Sequence, residues 1–293
     1  MSSIAYKAVL KLAPKAKDNY LKAIQQSGPL FEQHGITTPL RLSHFLAQAL
    51  HETGGFTVLR ESMKYRVPQM LKIFGVGNHS AAITPTEAEK LAGNDQALAE
   101  RVYGLGNPKK AHELGNTQPG DGFLFRGNGV LQMTGRGHHR RMSQLCGVDF
   151  EGTPALATEP EYALLPALFT WTSGNLNAYA DKNDIRTITR RINGGYNGLA
   201  DREDWFERLW KELKPKGTPE AAWESSDADA DVVLLQNELN TLGANPRVVV
   251  DGRYGPATKR AVIQFQKIAG LKADGIAGPV TRAAMQLRLA SLR

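Results

Sequence analysis

The chain has 293 residues, 41% of them hydrophobic, and a formal net charge of +7; that length and apolar content suit two globular domains with real cores. Its longest apolar runs, such as residues 163–170, fall well short of the roughly 20 residues that span a bilayer, so stable membrane insertion is not expected. Cys146 is the only cysteine, which excludes an intrachain disulfide and any zinc site built on several thiolates.

From the N-terminus, residues 1–10 are polar, and Lys11, Lys15 and Lys17 follow. No apolar stretch ends in a small-residue cleavage site, so no signal peptide is read and the expectation is a protein held in the cytoplasm until released. Leu42, Phe45, Leu46, Ala49 and Leu50 recur at helical spacing, with Thr38 or Ser43 as candidate caps. Residues 86–98, 160–177 and 201–213 read as further helices, the last carrying Trp205, Phe206, Leu209 and Trp210 on one face. Glycine-rich loops fall at 115–129 and 193–198, and few stretches alternate with period two. The first domain, 1–213, is therefore expected to be mainly α. Within it Cys146 reads as a small buried residue. The adjacent His138 and His139 read as surface or loop residues that would not converge on one metal.

Residues 214–230 combine Pro215, Gly217 and Pro219 with a Ser/Asp/Ala run and no apolar stripe. This is the composition of an interdomain linker, in which Trp223 could dock on a neighbouring surface. In residues 231–293, Asp251-Gly252-Arg253-Tyr254-Gly255-Pro256-Ala257-Thr258 is echoed by Asp274-Gly275-Ile276-Ala277-Gly278-Pro279-Val280-Thr281. Each copy sets an Asp-Gly turn, a Gly-Pro turn and a Thr before a predicted helix, at 259–269 and 282–292. An earlier helix carrying Leu234, Leu235, Leu239 and Leu242 stops at Gly243. The sum is a three-helix module of a size that can fold alone.

Three segments carry chemistry. His51-Glu52-Thr53-Gly54-Gly55-Phe56 puts Glu52 at the end of an apolar helix beside a glycine break, where partial desolvation suits a general acid. Glu61 lies past the break and can turn back to face it. Two facing carboxyls are what glycoside hydrolysis requires; the plain alternative is a solvated helix end. Gly55 stands where a His-Glu-x-x-His zinc helix needs its second histidine, so no metal site is read here. In residues 126–137, small residues permit close approach of an extended ligand. Gln132 and Thr134 alternate there, and in an extended strand they would point the same way toward a sugar. Asn193, before Gly194 and Gly195, either orients a water or sugar N-acetyl group or serves as a turn residue that tolerates left-handed backbone.

Taken together, in order and spacing over residues 42–213, these segments resemble glycoside hydrolase family 19, the chitinase-like lysozymes. The resemblance implies a lysozyme-like α-helical catalytic domain with Glu52 as acid and Glu61 as base. It also implies Gln132 and Thr134 on the substrate strand, Asn193 on a water-positioning turn, and Arg202 where the family keeps an arginine. His138 stands where relatives usually carry Asn, and Phe125 where many carry Tyr. The C-terminal repeat, with its Leu235-Gln236-x-x-Leu239 start, resembles the small helical peptidoglycan-binding domain.

The combination resembles phage lysis enzymes, or endolysins. It implies a monomer that hydrolyses β-1,4 bonds of bacterial peptidoglycan with inversion, using no metal or organic cofactor. Such an enzyme reaches the periplasm and cell wall with the help of a holin-like permeabilising protein. Rival readings are a chitinase, a lytic transglycosylase with no need of a second carboxylate, and a nucleic-acid-binding protein. The last explains the basic charge but neither glutamate nor the repeat, and the charge is not gathered on a recognition helix, so no nucleic-acid partner is expected.

Overall fold

The structure is a computed structural model and describes residues 1–217, 230–252 and 254–291. The first part runs α1 (Ser2–Leu12), α2 (Asp18–Gln26), α3 (Gly28–Gln33), α4 (Pro39–Glu52), α5 (Val67–Phe74), α6 (Pro85–Leu91), α7 (Asp95–Tyr103), α8 (Pro108–Leu114), α9 (Asp121–Leu124) and α10 (Arg136–Cys146). After a 3-10 turn (Pro154–Thr158) come α11 (Leu165–Ser173), α12 (Leu176–Ala180), α13 (Ile185–Asn193) and α14 (Leu199–Leu213). The C-terminal part holds α15 (Ala230–Thr241), α16 (Pro256–Ile268) and α17 (Pro279–Ala290). Among the described residues there are only isolated β-bridges and no strand, as expected for a mainly α chain. No helix among them is long and apolar enough to cross a membrane. Residues 218–229 of the expected linker, Trp223 among them, lie outside the described residues.

The principal core forms around α4. Thr38 caps it by accepting the Arg41 amide, Pro39 opens it, and every residue from Leu42 to Leu50 is buried. A helix buried on all sides needs neighbours all round it. Phe45 meets Trp171 of α11 edge to face, and α14 covers the other side with Phe206, Leu209 and Trp210. Among the polar residues of α4, His44 stacks on Phe206 at 4.2 Å and shares a 2.7 Å hydrogen bond with Asn183 through Nε2. The polar opening segment folds as α1, whose small side chains Ala5, Ala8 and Val9 let it pack closely against α2 and α14.

A smaller, separate cluster gathers Met63, Met70, Phe74, Ile83, Ala88, Leu98 and Val102 from α5, α6, α7 and the segments before and between them. A third, under α10, holds Met133, Met142, Phe150 and Ala157. Three helix expectations are corrected here. Residues 86–98 form two helices, because Gly93 at φ +80 breaks the run and Asn94 caps the second. Residues 160–177 also divide, with Pro166 opening α11 and the left-handed Asn175 ending the connection. His138 and His139 are not loop residues but sit on α10. His139 is fully buried beside Phe125, and its Nδ1 donates to the Gly135 carbonyl at 2.9 Å. Cys146 is half-buried at the edge of the third cluster.

The C-terminal helices surround Leu235, Leu239, Val262, Phe265 and Met285. Both copies of the repeat are tied by the same device. Gln236 of α15 accepts from the Asp251 and Gly252 amides and donates to the Asp251 carboxylate and Thr258 hydroxyl. Gln266 of α16 accepts from the Gly275 amide and donates to the Asp274 carboxylate and Thr281 hydroxyl. The repeat threonines lie inside the first helical turn, because each helix starts at its proline, earlier than the sequence pattern suggests.

Candidate active site

Glu52 is the last residue of α4, and its side chain is 23% exposed. Arg202 reaches it from α14. That guanidinium is 1% exposed and forks between the two side chains, one nitrogen to the Gln48 carbonyl oxygen and the other to Glu52 Oε1. A buried cation of this kind is tolerated only because it is paired. Arg202 thus fixes Oε1 of the Glu52 carboxyl against the core. One residue back, His51 Nδ1 lies 2.6 Å from Asp201 Oδ2. That hydrogen bond, more than any other influence, holds the Asp201 carboxyl below its ordinary range. Gly198 lies against the His51 ring: a Cβ there would come within 2.2 Å of Nε2, and its φ is +73. Only glycine meets both demands.

Glu61 is held from the other side. Residues 59 to 61 pair antiparallel with 127 to 129, through Glu61 N to Gly127 O at 2.7 Å and Gly129 N to Leu59 O at 2.9 Å. The carboxylate then receives the Gly127 amide on Oε2 at 3.2 Å and the Tyr103 hydroxyl on Oε1 at 2.8 Å. Burial, and then the Glu61 charge, push the Tyr103 phenol far above its ordinary pKa, so it remains a donor. At Gly127 a Cβ would sit 2.8 Å from Gln132 Oε1 and 3.2 Å from Glu61 Cβ, so a side chain there would displace the Gln132 amide. Arg126 braces the same bridged segment by donating to the Glu61 carbonyl and stacking over Phe123. The loop before it is pinned by Asp121. Burial would raise that carboxyl, but Arg136 and the amides of Gln118 and Thr117 outweigh it and leave it lowered.

The sequence-predicted residues are brought together unequally. Gln132 is beside Glu61 at Gly127. The expected extended strand is absent: Gln132 has φ +48, its amide donates to the Gly129 carbonyl, and the chain doubles back through an Asn128–Met133 bridge. Glycine spacing at 127 and 129 makes this a tight turn. Gln132 and Thr134 are therefore joined through the turn, where Thr134 donates to the Gln132 carbonyl. Asn193 ends α13, and both ends of its amide bond within its own turn, to Gly195 N and Asn197 O. Tyr103 and Asp201 escaped the sequence reading. No local pattern marks Tyr103, and Asp201 lies 150 residues from His51; its only sequence signal is that it adjoins Arg202. Among the described residues no group of three or more His, Cys, Asp or Glu side chains is placed to hold a metal ion.

A glycosyl hydrolase family 19 domain-containing protein of Haemophilus influenzae is 29% identical over 201 residues, which cover 68% of this chain and 92% of that protein. Residues 228–285 match the family model described as "Putative peptidoglycan binding domain". The chain is thus a homologue of a glycosyl hydrolase family 19 domain-containing protein and carries a C-terminal peptidoglycan-binding domain. Over 58 residues the chain is 56% identical to the zinc D-Ala-D-Ala carboxypeptidase of Streptomyces albus G, matching 20% of this chain and 23% of that one. Chitinase C from Streptomyces griseus HUT6037 aligns structurally with a TM-score of 0.46 and 17% identity, over 73% of this chain and 77% of that one. The region shared with the Haemophilus protein has the length of the domain that carries both glutamates.

Proposed function

We propose that the protein is an endolysin-type glycosidase that cuts β-1,4 bonds in bacterial peptidoglycan with inversion. The observation that carries this reading is the contrasting support of two carboxyls: Glu52 by a buried arginine from the main core, Glu61 by Tyr103 and a backbone amide from the smaller one. Glu52 gives its proton to the leaving glycosidic oxygen as the C1–O bond breaks. Glu61 takes a proton from a water whose oxygen bonds to C1 on the opposite face. Solvent then restores both carboxyls. Gln132, Thr134 and Asn193 are the groups assigned to the sugar and the attacking water, and Arg202 positions Glu52. The same reading has the enzyme work as a monomer without a cofactor or nucleic acid. It would leave the host cytoplasm for the periplasm and wall through a separate permeabilising protein.

Mass spectrometry of glycan fragments released from purified sacculi tests the proposal. Reducing ends are expected from the wild type, and none from a folded Glu52→Gln variant. Anhydro ends would replace hydrolysis by transglycosylation, and release of peptides alone would remove the glycosidase reading altogether.

A further inference from the structure

The C-terminal domain carries a groove that the hydrolytic site does not use. Where the last turn of α15 meets α16, Leu239, Ala261 and Phe265 floor a depression of about 50 Å³, edged by Gln264, Ile268 and Arg288. The floor side chains are almost fully buried, whereas Ile268 is 64% exposed. Arg288 stands on α17 with no carboxylate partner among the described residues. Three of the domain's acids are engaged elsewhere. Glu238 bonds Gln286 and Arg282, Asp251 bonds Gln236, and Asp274 bonds Gln266. The groove thus offers an apolar floor with a cation and an amide at its edge, and no acid in its lining.

That chemistry fits a short peptide with small apolar side chains and free carboxylates. A guanidinium at the edge recognises a carboxylate through paired hydrogen bonds, and the floor accepts methyl groups. A glycan ribbon asks instead for a flat exposed ring and rows of hydroxyl partners, and the one ring in this lining, Phe265, is buried. We propose that the groove binds the acidic stem peptide of peptidoglycan, with alanyl methyls on the floor and a carboxylate on Arg288. The proposal rests on reading the second domain as the wall-binding part of a wall-cutting enzyme. It adds that the two domains read different halves of one polymer, glycan in the first and peptide in the second.

The full chain carrying Glu52→Gln, so that the wall stays intact, is titrated against sacculi. It is also titrated against glycan strands stripped of peptide by an amidase. Arg288→Glu and Ile268→Asp should each weaken sacculus binding at least tenfold, and Lys272→Glu, the same charge change outside the groove, less than twofold. Stripped glycan should bind at least tenfold more weakly than sacculi, and the soluble tetrapeptide L-Ala-D-Glu-diaminopimelate-D-Ala should compete. Because Ile268 and Arg288 are exposed, both variants should keep the wild-type melting profile. Equal binding to stripped glycan, or unchanged binding by Arg288→Glu, would overturn the assignment. Peptide-dependent binding by a wild-type chain that releases no glycan fragments would count for the groove and against the glycosidase reading.

Discussion

Replacing Tyr103 by Phe removes a single oxygen and isolates what the smaller cluster contributes to the site. The hydroxyl's one bond is to Glu61 Oε1, at 2.8 Å, while the ring stays packed on the cluster around Val102. A hydrogen bond to a charged group is worth about 1.5–3 kcal/mol, and each 1.36 kcal/mol in the barrier is tenfold in rate. Tyr103→Phe should therefore lower kcat/KM on soluble glycan chains by roughly 10- to 150-fold if the bond is needed in the transition state. The loss should fall on kcat, because Tyr103 positions the base and is not assigned to the sugar. Reducing-end assays at several chain concentrations separate the two constants. In a Glu61→Gln background the same substitution should cost little more, since two residues acting through one group are not additive. Activity within twofold of wild type, at an unchanged melting temperature, would refute the view that Tyr103 holds the reactive carboxylate.

Gly198→Ala forces a Cβ to within 2.2 Å of the His51 ring at φ +73; hydrolysis should fall at least about tenfold and the melting temperature by several degrees, at roughly 1–3 kcal/mol for such backbone strain. In the second domain, Gln266→Leu leaves the Gly275 amide without its acceptor, at a cost of about 1–3 kcal/mol for each buried group unpaired. Calorimetry should show an earlier C-terminal transition while cleavage of soluble glycan is unchanged. Burial lowers both His44 and His139 to about 4, so the unfolded chain binds protons that the folded chain refuses between pH 6.5 and 4. Stability is then full above about pH 6.5 and lost as pH falls, by up to about 1.4 kcal/mol per pH unit for each ring. Urea titrations at pH 6.5 and 5.0 should show that loss, and His139→Leu should reduce it.

What could be read from the sequence depended on how far apart the cooperating residues lie. The end of α4 at Glu52 was legible because apolar spacing and the Gly54-Gly55 break are both local. The C-terminal repeat was legible because its turns recur in register. Gln236 was noticed only as part of a helix start and Gln266 not at all, since their partners sit on the following loops. Alternation at Gln132 and Thr134 suggested a strand, but the glycines permit a left-handed turn that period-two counting does not register. His139 looked exposed in a string of Arg and His, yet one face of α10 must cover Met133 and Phe150, and the histidine falls on that face. Tyr103 is 42 residues from Glu61 and lies on α7, whereas Glu61 lies between α4 and α5, so no local pattern could connect them.

The two glutamates belong to cores of different size. Glu52 is fixed by α4 and α14 in the large one, whereas Tyr103, which steadies Glu61, is anchored on the small cluster between Met63 and Val102. Fewer buried apolar contacts make a region open more readily. Gentle heating should therefore slacken the grip on Glu61 while most helices remain intact. Catalysis would fade some degrees below the main melting transition and return on cooling, and amides of the small cluster would exchange with solvent first. Heat resistance of the enzyme would then be gained by filling in and tightening that minor cluster, and additions to the already dense surroundings of α4 would do little for it.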